Sequence, residues 1–216
     1  MLKRLLLLIS IALALTPATK IIKFKLYISA NGREAFLQKG RTIEESVNAV
    51  ISELEVTLDT FLLQLDSPLK VKFEPLFTTE LPPGVDLDKC GTDLIEIGDM
   101  LNFFNDDDSL TSTIAILSCR ADPFNDAFTT VGQKVPYVGH SLTTECTTRT
   151  VIFLETEEPK FLSVFSTALI RAAGVNLLNP LVFEEVTDGD QGVRYEIRVG
   201  NDTINSIKQN RCFYSV

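Results

Sequence analysis

Residues 42–65 read TIEESVNAVISELEVTLDTFLLQL, and they decide the fold. Apolar side chains fall at Ile43, Val47, Val50, Ile51, Leu54, Leu58, Phe61, Leu62 and Leu65. Steps of three and four place them on one face of a long helix. Thr42 followed by Glu45 makes a capping box at its start. Asp66-Ser67-Pro68 stops it. Before this helix, Ile21–Ser29 (IIKFKLYIS) is β-branched and aromatic, and after it comes Leu69–Phe77 (LKVKFEPLF). Both read as strands, with a turn expected at Asn31-Gly32. A strand, a helix and a strand in that order imply two parallel strands joined by a crossover.

Working outward, Leu81-Pro82-Pro83-Gly84 reads as a loop, and Leu94, Ile97, Leu101 and Phe104 mark a second helix. Asn105–Ser109 is a solvated break, and Thr113–Cys119 (TIAILSC) is a third strand. Phe128–Tyr137 reads as a poorer strand whose Gly132 and Pro136 suit an antiparallel edge. Thr150–Leu154 is the next strand. Pro159 opens a helix carrying Phe161, Leu162, Phe165, Ala168, Leu169 and Ala172, which ends near Gly174. From Asn179 the chain is expected to be loop-rich until a helical piece at Thr203–Gln209. The expected fold class is therefore α/β: a mixed twisted sheet of about five strands with an antiparallel edge strand, helices on both faces, and a small loop-rich C-terminal subdomain.

The N-terminus predicts the compartment. Lys3 and Arg4 precede the apolar run Leu5–Leu15, and Thr16-Pro17-Ala18 follows. This is the layout of a secretory signal peptide, residues 1–18, cleaved after Ala18; the run is too short to span a bilayer. Residues 19–216 are then expected to form one domain, with no pro-segment before the first strand. The formal charge of −9 becomes −11 when Lys3 and Arg4 leave, which argues against nucleic acid or an anionic membrane as partner. Cys90, Cys119, Cys146 and Cys212 suggest two disulfides in a secreted chain, with three possible pairings. Asn201-Asp202-Thr203 is a glycosylation sequon.

Several strings in this order resemble the catalytic domain of the ADAM and reprolysin zinc proteases. They are the opening strand–helix–strand unit, Val131-Gly132 with Tyr137-Val138-Gly139 and Cys146, the helix VFSTALIRAAGVN at 164–176, and INSIKQNRCF at 204–213. The resemblance implies a zincin-like fold, a Cys146–Cys212 disulfide and, by remainder, a Cys90–Cys119 bridge. It also implies a zinc site of the pattern His-Glu-x-x-His-x-x-Gly-x-x-His. Anchored on Gly174, the ligand positions are Thr167, Arg171 and Leu177, and the general-base position is Ala168. None can perform the original chemistry, since arginine is a permanent cation and Ala and Leu offer no donor atom. The chain has one histidine, His140, so three-histidine coordination is impossible; an atypical metal site built on His140 is the residual alternative.

The resemblance further places Lys25 where family members use a glutamate for calcium, so its ammonium is expected to replace that cation. Asp188-Gly189-Asp190 reads as a turn and not a calcium loop, because Val199 stands where a chelating glutamate is needed. The serines and threonines between Ser141 and Thr150 lack the histidine that a nucleophilic triad requires. The leading functional expectation is a secreted, non-catalytic pseudoprotease without cofactor. It would bind a protein or extended peptide at a remnant cleft, by strand addition at Val131–Val138. The alternatives are a structural coat or matrix protein, and a hydrolase with an unrecognised site.

Overall fold

The computed structural model describes residues 18–89, 99–104, 110–118, 138–143, 146–177, 181–187 and 193–212. Strand β1 (Ala18–Ile28) leads into helix α1 (Ala30–Leu37) and helix α2 (Ile43–Gln64), then strand β2 (Leu69–Thr78). Next come β3 (Thr111–Leu117), β4 (Val138–Thr143), β5 (Thr148–Phe153) and helix α3 (Glu158–Ala172). Strands β6 (Leu181–Thr187) and β7 (Val193–Val199) and helix α4 (Asn201–Gln209) complete the described elements.

One sheet of five strands has the order β2-β1-β3-β5-β4. Its first four strands are parallel, and β4 runs antiparallel to β5 at the end of the sheet. The segment expected to form the antiparallel edge, Phe128–Tyr137, lies outside the described residues. β1 pairs with β2 on one side and β3 on the other, so the strand order reverses at β1. Right-handed crossovers in opposite directions must use opposite faces of the sheet. The two faces bear this out in their cores. Ile22, Phe24 and Leu26 of β1 pack with α2 and α3 in the larger cluster. Tyr27 of β1 packs on the other face with Val85, Leu87, Leu101 and Phe104, which come from the stretch between β2 and β3.

α2 forms as its periodicity requires. Ile43, Val47, Val50, Ile51, Leu54, Leu58 and Leu62 are buried, and the Thr42–Glu45 capping box is made in both directions. Leu65, counted in the same stripe, is 40% exposed, because the helix has ended there. α3 is buried on nearly every side, packed on the sheet beside α2, with Phe165, Ala168 and Leu169 fully enclosed.

Two expectations are corrected. Asn31-Gly32 is no free turn: Ser29 caps α1 by accepting the Gly32 N–H at 3.0 Å, so both residues lie in the first helical turn. The C-terminal part is not loop-rich: β6 and β7 form an antiparallel hairpin, and Leu181, Ile197 and Val199 enter the main core. Helices α1, α2, α3 and α4 supply the larger cluster, while the short helical stretch 99–101 places Leu101 in the smaller cluster on the other face. Of the helix expected around Leu94–Phe104, residues 90–98 fall outside the described residues. No described helix is long and apolar enough to cross a membrane.

Candidate functional site

In open α/β sheets, the reversal of strand order marks the crevice where ligands commonly sit, beyond the carboxyl ends of the strands. Here that place holds Ser29 after β1, Ser118 after β3, and Asp88 from the covering loop. Ser29 Oγ donates to Asp88 Oδ1 at 2.6 Å and lies 2.8 Å from Ser118 Oγ. Asn31 Nδ2 donates to Asp88 Oδ2 at 3.0 Å, and the Ser118 N–H donates to Leu87 O at 2.8 Å. Gly32 is required beside it, since a Cβ there would stand 2.7 Å from Ile28 Cγ1 and 3.2 Å from Ser118 Oγ. The Ser29 hydroxyl is therefore saturated: it donates once and accepts the Gly32 N–H. No imidazole serves it, because the one histidine lies on β4, beyond β5 from β3. The arrangement clasps the covering loop to the sheet, the Asp88 carboxylate accepting from both Ser29 and Asn31.

The positions aligned to a zinc site do not converge. Thr167 is 5% exposed and its Oγ1 donates to Ser163 O of its own helix at 2.9 Å. Ala168 is fully enclosed in the main core. Arg171 and Leu177 are brought together only by a bond from Arg171 Nη2 to the Leu177 carbonyl at 3.4 Å. The Arg171 Nε has no acceptor, and burial lowers the guanidinium pKa. His140 pairs with Val151 across the sheet. Lys25 stands half-buried between Leu76 and Thr113 on neighbouring strands. Among the described residues no group of three or more His, Cys, Asp or Glu could hold a metal. Cys90, Cys119, Val131 to Tyr137 and Asp188 to Asp190 lie outside the described residues.

What surrounds the C-terminal end of α3 is a set of caps. Thr148 Oγ1 donates to Arg171 O at 2.7 Å, Ser112 Oγ to Ala172 O at 2.9 Å, and Asn210 Nδ2 to Ala173 O at 2.9 Å. These satisfy carbonyls that a helix end otherwise leaves open. Gly174 follows with φ 77°, and a Cβ on it would stand 2.4 Å from Asn210 Nδ2. Its glycine is thus a helix stop packed against Asn210. Cys146 and Cys212 are bonded, and the Cys212 N–H donates to Asn210 Oδ1 at 2.9 Å.

Lys20 completes this knot and escaped the sequence reading. It is 1% exposed, and its ammonium donates to the carbonyls of Ile207 and Asn210 at the end of α4. Burial pushes its pKa down to about 8. Parity would have found it: Lys20 shares the inward face of β1 with Ile22, Phe24 and Leu26. Asn201 is exposed at the first position of α4.

A family model described as MICSWaP, spore wall protein, matches residues 21–213. A spore wall protein of Encephalitozoon cuniculi (strain GB-M1) is 32% identical over 181 residues, covering 82% of each chain. No solved structure matches. The match overturns the resemblance to ADAM and reprolysin metalloproteases, and with it the metzincin reading of the helix. The misreading has a physical origin: Gly174 is a left-handed stop that any helix can use, and aligning a zinc motif on it gave Thr167, Ala168 and Arg171 roles that their contacts do not support. The chain belongs to the spore wall protein family.

Proposed function

We propose that this protein is a non-catalytic structural component of a spore wall, outside the cell. The observation that carries the reading is the family match across residues 21–213, nearly the whole chain. The geometry supports it. The polar groups at the strand-order reversal bond one another, and the buried polar groups around α3 act as helix caps. The secretory leader at 1–18, a mature domain of 19–216 and a glycan on exposed Asn201 belong to the same proposal, as does independence from zinc.

Immunogold labelling of spores with an antibody to the purified chain tests it. Label confined to the wall is the expected result, and label inside the cell would overturn the reading. N-terminal sequencing of the wall-extracted protein should begin at Thr19. Elemental analysis after dialysis against micromolar zinc should find no retained metal; one zinc per chain would restore a catalytic reading through His140.

A further inference from the structure

A parallel sheet is normally covered on both faces, yet among the described residues nothing is seen to cover part of this one. Parallel pairing sets Ile21 beside Lys72, Lys23 beside Glu74 and Lys25 beside Leu76, all on the face away from α2. Lys23, Lys70 and Glu74 there are exposed, Leu76 is 48% exposed, and Lys72, also exposed, is already paired with Glu55 of α2 around the sheet edge. This half-face presents lysines against one carboxylate on a chain whose formal charge is −9. The opposite side of the same layer has the reverse character. α2 buries one stripe on the sheet and turns outward Val56, 67% exposed, and Leu63, 73% exposed. Glu45 and Glu53 are exposed beside them. Glu53 is crowded rather than answered: partial burial and then the nearby Glu158 carboxylate raise its pKa.

We propose that the outer face of α2 in one copy packs on the exposed β1–β2 face of the next, so that copies stack head to tail. Lysines would meet glutamates, and Leu76 would meet Val56 and Leu63. The second copy supplies a helical cover that the described residues do not give this half-face, which is the ordinary way an α/β layer is closed. The two surfaces differ and lie on opposite sides of one molecule, so the contact is heterologous and the stack stays open. The proposal rests on the reading of the chain as a wall component, since an open polymer is what a wall requires.

Sedimentation velocity of the secreted protein tests the contact. At about 0.1 M salt, where screening acts over about 10 Å, the sedimentation coefficient should rise with concentration. At about 1 M salt that rise should be lost. Two charge-reversed variants are compared: Lys23→Glu with Lys70→Glu on the sheet, and Glu53→Lys with Val56→Lys on α2. All four positions are exposed, and circular dichroism verifies each fold. Neither variant should associate alone, because each presents like charges on both surfaces. An equimolar mixture should assemble, since each surface again finds its opposite. A wild-type chain that stays monomeric, a variant that assembles alone as wild type does, or a mixture that fails to assemble would overturn the stacking. Wall labelling without self-association would refute the stack and leave the wall reading standing; association without wall labelling would do the reverse.

Discussion

At the scale of single residues, Lys20 shows how much one buried group can control. Its ammonium sits where the dipole of α4 is negative, on the carbonyls of Ile207 and Asn210. Removing the donor in Lys20→Met leaves both acceptors unanswered, at a cost of about 1–3 kcal/mol at neutral pH. The pH dependence has a definite sign. The folded pKa of about 8 lies below the unfolded value of 10.5, so the unfolded chain holds the extra proton between them. Stability from this group is lowest below about pH 8 and rises as the pH climbs towards 10.5. Relative to Lys20→Met, the wild type should gain about 2 kcal/mol between pH 7.5 and pH 10 in chemical denaturation, since most but not all of the proton release falls inside that window. An unchanged difference would place the ammonium in water. Gly32 offers a second test at this scale. A methyl group at position 32 would strike Ile28 and press on Ser118, so Gly32→Ala should cost about 1–3 kcal/mol by overpacking. A calorimetric melt no lower than wild type would show that α1 can move off the sheet.

At the scale of elements, β2 ends the sheet and would offer its outer edge to any strand. Two features close it. The Phe73 N–H, which points away from β1, donates to Glu55 Oε1 at 2.8 Å, and Glu55 also pairs with Lys72. The next residue facing the same way is Pro75, which has no N–H to give. Proline and charge at an edge are the usual protection against strand addition. We therefore expect Glu55→Ala combined with Pro75→Val to turn the edge into a template. Thioflavin fluorescence on incubation near the melting temperature should appear in the double variant and not in wild type. Equal behaviour would mean that another part of the chain shields β2. The strong elements were legible because their patterns are local. The stripe of α2 and the alternation LKVKF of β2 each follow from sequence spacing, and both appear within a residue or so of where the pattern puts them. α1 was not legible, because Asn31-Gly32 is a turn signal that the Ser29 cap and the packing of Gly32 on Ile28 override. The β6–β7 hairpin was missed for another reason: its strands carry Glu184, Glu185, Arg194 and Glu196 among the apolar residues, so it reads as surface chain until Leu181, Ile197 and Val199 find the core.

At the scale of the whole molecule, the coarse α/β reading held and the structural-coat alternative is the one the family match favours, while the metalloprotease reading failed. A sheet and its crossover helix are dictated by burial, which the sequence states residue by residue. A role for Thr167 or Arg171 depended on an alignment, and their contacts are those of an ordinary helix end. What the global structure adds is the way the C-terminus is tied back. Lys20 in β1 holds the end of α4, Asn210 holds the end of α3, and Cys212 is bonded to Cys146, just ahead of β5. The bond spans 66 residues and encloses β5, α3, the β6–β7 hairpin and α4. Closing a loop of that size removes unfolded-state entropy equivalent to about 4 kcal/mol on the chain model. Because Lys20 and Asn210 also hold this segment in the folded state, the fold should survive without the bond. We expect a Cys146→Ser, Cys212→Ser variant to keep its circular dichroism spectrum at 25 °C and to lose about 3–4 kcal/mol in denaturant unfolding. Combining it with Lys20→Met should then cost more than the two changes separately, since both hold the segment after α4 through Asn210 and sites with a shared partner do not add. Strict additivity would mean that the disulfide and the lysine stabilise separate parts of the molecule.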